Sequence, residues 1–77
     1  MEFHAGKCRH TAANGALLLD GAVQIALDEE DVVIALDGGR EYRLYYSDIE
    51  RVTDRDYQLV LLMAGGDSFT LYFLGSW

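Results

Sequence analysis

Hydrophobic residues recur along this chain in clusters of about 5 to 8 residues, separated at short intervals by glycine-rich and acidic turns, as in antiparallel β-proteins. Glycine follows Asn, Asp or another glycine at four turns, and such residues tolerate the positive φ of tight hairpins. These turns are Asn14-Gly15, Asp20-Gly21, Gly38-Gly39 and Gly65-Gly66, with acidic turns at residues 28–31 and 54–56. No cluster has room for a long helix, so the pattern predicts an all-β fold.

Seven strands are predicted between these turns, and they form a single domain over residues 1–77. The strands span residues 16–19, 22–28, 31–37, 40–46, 49–54, 57–64 and 68–74. Val23, Ile25 and Leu27 share one face of the second strand, which is the period of two of a strand with one buried face. Residues 1–14 are rich in small and polar side chains, and we expect them to be loosely held. The predicted architecture is a small antiparallel seven-strand barrel or two orthogonal sheets.

The middle strands continue this alternation and then interrupt it. Inward rows are predicted at Val32, Ile34 and Leu36 and, opposite them, at Tyr42, Leu44 and Tyr46. Within residues 47–52 the apolar residues Ile49 and Val52 are three positions apart, which breaks the period of two. We predict a bulge or a single helical turn in this segment.

The last two predicted strands are apolar on both faces. If they are hairpin neighbours, the face turned away from the core carries an apolar patch made of Val60, Leu62, Tyr72 and Leu74. Exposed patches of this kind mark interaction sites, and a domain of this size buries only roughly 60% of its unfolded surface. We therefore expect a second copy to cover the patch if the chain is the whole protein, or the next segment to cover it if the chain continues.

Residues 23–74 contain a recognisable order of features. Two short strands precede residues 42–52, in which the pair Asp48-Ile49 is followed, three positions on, by Val52. A hydrophobic strand, a glycine turn and an aromatic strand come next. In this order the chain resembles the pleckstrin-homology (PH) superfamily, in particular its GRAM-like and bacterial PH-like members. The resemblance implies a seven-stranded barrel and, as in some members, the binding of lipids or small ligands.

Two features of that superfamily have no counterpart in this sequence. PH-type barrels usually carry a C-terminal helix that plugs one end, whereas this sequence stops at Gly75-Ser76-Trp77, where such a helix would begin. The capping helix is therefore expected to be absent or truncated. The basic loop of lipid-binding members is also missing, because the first predicted turns here are acidic. The resemblance thus assigns no phosphoinositide-binding residue.

The charge balance narrows the classes of partner. Thirteen acidic and six basic residues give a net charge of −7, and no basic stripe of the kind that binds nucleic acid is visible. Anionic membranes are disfavoured for the same reason. The single cysteine, Cys8, cannot form an internal disulfide, which fits a reducing compartment. Without a secretory signal or an apolar stretch of about 20 residues, the chain is expected to be soluble and cytoplasmic.

Candidate chemistry is sparse. His4, Cys8 and His10 would share one face of an extended strand and could hold zinc or copper, but structural zinc normally takes four ligands, so ordinary surface residues are the better interpretation and no cofactor is predicted. The acidic residues 28–31 lack the glycine and spaced oxygen ligands of calcium loops. A solvated hairpin tip that guards the adjoining strands against aggregation fits them better.

No arrangement of a base beside a nucleophile is recognisable, so the chain is not expected to be an enzyme. Tyr45 stands among polar neighbours and is predicted to face outward as a contact residue. The leading interpretation is a non-catalytic PH-like module for protein interaction or self-assembly, with a homo-oligomer or another protein as partner. A lipid- or small-ligand-binding module is the alternative. A small metal-binding regulator is a lesser one.

Overall fold

Short strands make up most of the computed structural model, which describes residues 2–73. They are β1 (His4–Thr11), β2 (Leu17–Leu27), β3 (Asp31–Ala35), β4 (Glu41–Tyr45), β5 (Ile49–Arg55), β6 (Gln58–Met63) and β7 (Ser68–Phe73). Single turns of 3-10 helix, Asp37–Gly39 and Tyr46–Asp48, precede β4 and β5. Within residues 2–73 no helix is long and apolar enough to cross a membrane. The predicted all-β class with seven strands is confirmed.

The strands form one antiparallel sheet in the order β4-β3-β2-β1-β7-β6-β5, which curls strongly into a half-barrel. The sequence neighbours β4 and β5 therefore lie at opposite edges of the sheet. The turn Tyr46–Asp48 connects them, and two backbone hydrogen bonds hold it. Tyr46 N–H donates to Glu30 O at 2.9 Å, and Ala64 N–H donates to Asp48 O at 2.8 Å. The turn is thus attached to the β2–β3 hairpin on one side and to the end of β6 on the other.

The first strand differs most from expectation. Residues 1–14 were expected to be loosely held, but His4–Thr11 forms β1 at the centre of the sheet, paired with both β2 and β7. Its alternation is hard to read because its buried positions are Gly6 and Cys8 rather than large aliphatic residues. A Cβ on Gly6 would lie 2.6 Å from Tyr72 O and 2.8 Å from Ile25 Cδ1. The missing side chain at Gly6 is therefore a requirement of close packing and not a sign of disorder.

The prediction of a turn at Asp20-Gly21 is also wrong. The predicted strands 16–19 and 22–28 are one 11-residue strand, β2, in which Asp20 pairs with Arg9 and Gly21 pairs with Cys8. An Asp-Gly pair makes a hairpin only where its own flanks pair with each other, and here both flanks pair with β1. The other predicted glycine turns are confirmed, with positive φ at Gly15, Gly38, Gly39 and Gly66.

The interruption predicted within residues 47–52 is confirmed in both of its forms. The chain makes one helical turn at Tyr46–Asp48, and a register shift follows between Ile49 and Arg51 on β5. Because the shift changes which residues face the core, Arg51 pairs with Leu62 on the outer side of the sheet.

The core lies on the concave side of the half-barrel. The predicted inward rows of β3 and β4 face each other at Val32 opposite Leu44 and Ile34 opposite Tyr42. The prediction is wrong for Tyr46, which lies in the turn after β4 and is exposed. The buried cluster comprises Cys8, Val23, Ile25, Val32, Ile34, Leu44, Leu61, Met63, Phe69 and Leu71. Since side chains alternate along each strand, the intervening residues of β1, β5, β6 and β7 project from the convex side.

Candidate interaction surface

The convex side of β5, β6 and β7 carries apolar residues that are not part of the core. Leu61 and Leu71 are buried, so their neighbours Val60, Leu62 and Tyr72 point outward. All three are partly buried, and β6 and β7 pair as the hairpin that the predicted patch requires. We refer to Val60, Leu62 and Tyr72 as the convex patch.

Two other predicted interaction residues are not included in this definition. Leu74 lies outside the described residues. Tyr45 is on β4, at the edge of the sheet opposite to β5, and it contributes to a separate surface described below.

Cations surround the convex patch because strand pairing collects them from distant parts of the sequence. Arg51 lies opposite Leu62 and Arg55 opposite Gln58, while Lys7 lies opposite Tyr72. Among residues 2–73 these three cations make no ion pair, whereas Arg9 pairs with Asp20 at 3.4 Å. We refer to Lys7, Arg51 and Arg55 as the basic rim. The sequence shows no basic stripe, and the cross-strand register is what brings these three cations together.

A second surface forms where β4 meets the β2–β3 hairpin. Tyr45 and Tyr46 are exposed to 46% and 42%, and they line a shallow hollow together with Glu29, Glu30 and Ser47. Tyr46 is fixed at both ends, because its hydroxyl donates to Asp28 O at 2.6 Å and its backbone N–H donates to Glu30 O. We refer to Tyr45, Tyr46, Glu29 and Glu30 as the tyrosine groove.

The charges around the tyrosine groove are unevenly paired. Arg43 donates to Asp31 at 3.3 Å and to Glu41 at 3.1 Å. The negative charge of Glu41, together with the hydrogen bond to Asp31, raises the pKa of the Arg43 guanidinium. Within the described part of the chain, Glu29 and Glu30 have no cationic partner. The groove is therefore aromatic with an unbalanced negative charge.

The three residues considered for metal binding share the inward side of β1, as their spacing predicts, but their surroundings differ. His10 Nε2 bonds Asp67 Oδ2 at 2.8 Å, and its ring stacks on Phe69 at 3.9 Å with an edge contact to Tyr42. Cys8 is fully buried, and burial, with the nearby charge of Asp20, raises the pKa of its thiol to about 11. Across residues 2–73 no three His, Cys, Asp or Glu side chains are placed to hold a metal ion.

Sequence reasoning missed the basic rim, the Glu29 and Glu30 side of the groove as a binding surface, and the His10–Asp67 pair. Each depends on contacts between residues far apart in the chain, and Asp67 is 57 positions from His10. The separation of Arg51 and Arg55 by four positions, which places both on one face of β5, was the one local signal for the rim.

In comparisons with known proteins, no protein-family model matches the chain, and no curated protein or solved structure matches it. The resemblance to PH-like domains stays a prediction from the sequence.

Proposed function

We propose that this chain is a non-catalytic protein-interaction module that self-associates through its convex patch. The observation that carries the proposal is the outward projection of Val60, Leu62 and Tyr72, which are only partly buried. Within residues 2–73 no α-helix packs on the sheet. A partner would complete the burial of these side chains.

The energetics favour such a partner. Removing apolar surface from water stabilises a complex by roughly 25 cal/mol per Å², and tyrosine is enriched at the centres of protein interfaces. The concave side of the curled sheet holds the core, and the side chains of the convex patch keep apolar surface that a partner can remove from water. The order of features in residues 23–74, which resembles PH-like binding modules, supports the same proposal.

The interior polar residues support a non-catalytic role. The His10 ring is stacked against Phe69 and its Nε2 already bonds Asp67, so it is not presented to a substrate. The Cys8 thiol is buried with a pKa raised to about 11, and a protonated buried thiol is a poor nucleophile.

Sedimentation velocity over a range of concentrations tests the proposal. The native chain is expected to self-associate, and Val60→Thr combined with Leu62→Thr is expected to raise the dissociation constant at least tenfold, because polar β-branched residues keep the strand propensity but remove the apolar surface. The matched control is Val52→Thr, which changes an exposed apolar residue outside the patch. A native chain that stays monomeric at millimolar concentration, or a control that dissociates the oligomer equally, contradicts the proposal.

The basic rim favours a second candidate, the binding of an anionic membrane surface, since apolar residues flanked by cations suit such surfaces. Flotation with anionic and with neutral vesicles separates the two. Salt-sensitive binding to anionic vesicles that is lost in the double variant Arg51→Ser with Arg55→Ser supports membrane binding. If the chain floats with neither kind of vesicle, membrane binding is excluded and protein interaction remains the proposed function.

A further inference from the structure

We infer that self-association is head-to-tail, with the tyrosine groove of one copy seated on the convex patch and basic rim of the next. This inference rests on the proposed self-association and names the two surfaces that meet. It identifies a second copy of this chain as the occupant of both surfaces.

Charge complementarity is the first argument. The groove presents Glu29 and Glu30, which have no cationic partner in residues 2–73, and the rim presents Lys7, Arg51 and Arg55, which have no anionic partner there. Opposite charges that are unpaired in the single chain and lie beside apolar or aromatic side chains are arranged for contact between copies.

A symmetric contact between two convex patches fits these charges poorly. A twofold contact places the same surface on both sides, so the basic rims of the two copies would meet. Like charges brought together across an interface oppose binding. A groove-to-patch contact instead places carboxylates opposite the rim.

The aromatic side chains complement the same pairing. Tyr45 and Tyr46 are exposed, and Tyr46 is held in position by its hydrogen bonds to Asp28 and Glu30. Guanidinium groups favour the faces of such rings, and the rim supplies Arg51 and Arg55. The rings also offer apolar area to Val60 and Leu62.

The positions of the two surfaces determine the form of the assembly. The groove lies at the end of β4 and on the β2–β3 hairpin, and the rim lies on β1 and β5, so the two surfaces share no residue. One copy can therefore use both surfaces at once, which produces a ring if the rotation closes and an open chain if it does not.

Paired charge reversals test this arrangement in the intact chain. Glu29→Lys with Glu30→Lys, and separately Arg51→Glu with Arg55→Glu, are each expected to raise the dissociation constant at least tenfold in sedimentation velocity. The chain that carries all four changes is expected to self-associate again, because the reversed groove and the reversed rim are complementary. It has the native net charge of −7, so a general charge effect cannot account for its recovery. Circular dichroism of each variant checks that these exposed positions leave the fold intact.

The outcomes separate the inference from the proposed function. A native chain that does not associate overturns both. Native association that neither reversal weakens overturns the head-to-tail contact and leaves self-association standing. Reversals that each weaken association without recovery in the fourfold variant show that groove and rim do not meet, which also overturns the inference. Association of the native chain and of the fourfold variant is expected to weaken as the salt concentration rises, because salt screens the charge pairs.

Discussion

Gly6 explains, at the scale of one residue, why the pattern of hydrophobic residues does not predict the central strand β1. It is buried on β1, and the carbonyl oxygen of Tyr72 occupies the space where a side chain would begin. Here the informative feature is the absence of a Cβ, which a pattern of apolar residues does not register. The sequence could show the even spacing of His4, Cys8 and His10, but it could not show that Asp67 and Phe69 meet the His10 ring.

Replacing Gly6 by alanine is expected to destabilise the fold by about 1–3 kcal/mol, because the added methyl group overlaps backbone and a packed side chain. Gly21→Ala is the matched control, since a Cβ there meets nothing within 4 Å. The control is expected to be neutral or slightly stabilising. Urea unfolding measures both, and equal destabilisation by the two substitutions would show that the contact at Gly6 is not tight.

Cys8 makes the free energy of unfolding depend on pH in the alkaline range. The thiol loses its proton near its ordinary value of 9.0 in the unfolded chain and near 11 in the folded one. Between these values the unfolded chain binds fewer protons, so stability falls as pH rises from about 9 to about 11, by about 2–3 kcal/mol in all. The difference in unfolding free energy between native chain and Cys8→Ala, measured from pH 8 to pH 11, isolates this effect. A constant difference across that range would rule it out.

At the scale of the elements, local signals located turns and strands well where neighbouring strands are hairpin partners. From β3 to β7 each observed strand begins and ends within two residues of its prediction, apart from the predicted end of the last strand at Leu74, which lies outside the described residues. The predictions for β1 and β2 were wrong because β1 is weakly hydrophobic and because β2 contains Asp20-Gly21, a pair that is typical of turns. Turn chemistry predicts a reversal only when the flanking segments prefer each other to a third strand.

The β5–β6 hairpin carries a second local prediction. Its two-residue turn places both Asp56 and Tyr57 at positive φ, and Tyr57 is 86% exposed. A bulky residue pays about 1–2 kcal/mol in this conformation, while glycine adopts it freely. Tyr57→Gly is therefore expected to stabilise the fold by about 0.5–1 kcal/mol after the entropy of glycine is deducted.

Tyr57→Ala is the control for that turn, because it removes the ring but keeps the Cβ that opposes positive φ. Thermal unfolding of the two variants provides the comparison. If Tyr57→Gly is no more stable than Tyr57→Ala, the strain at this position is absent.

At the scale of the whole molecule, the fold class follows from the sequence, and the candidate interaction surfaces do so only in part. Val60, Leu62 and Tyr72 were predictable because alternation along two neighbouring strands decides which way they point. The basic rim was not, since Lys7 lies beside Tyr72 only after β1 pairs with β7. The half-barrel thus has an acidic aromatic groove near one edge of the sheet and a cationic apolar face near the other, and the proposed self-association rests on that asymmetry.

Amide ¹H–¹⁵N spectra recorded while the native chain is diluted test this account most directly, because one series reports both association and its location. We expect concentration-dependent shifts in residues of the convex patch and the basic rim, and in Glu29, Glu30, Tyr45 and Tyr46, with little change at the concave core. Spectra that do not change on dilution from millimolar to micromolar concentration, or shifts confined to other parts of the sheet, would contradict the account.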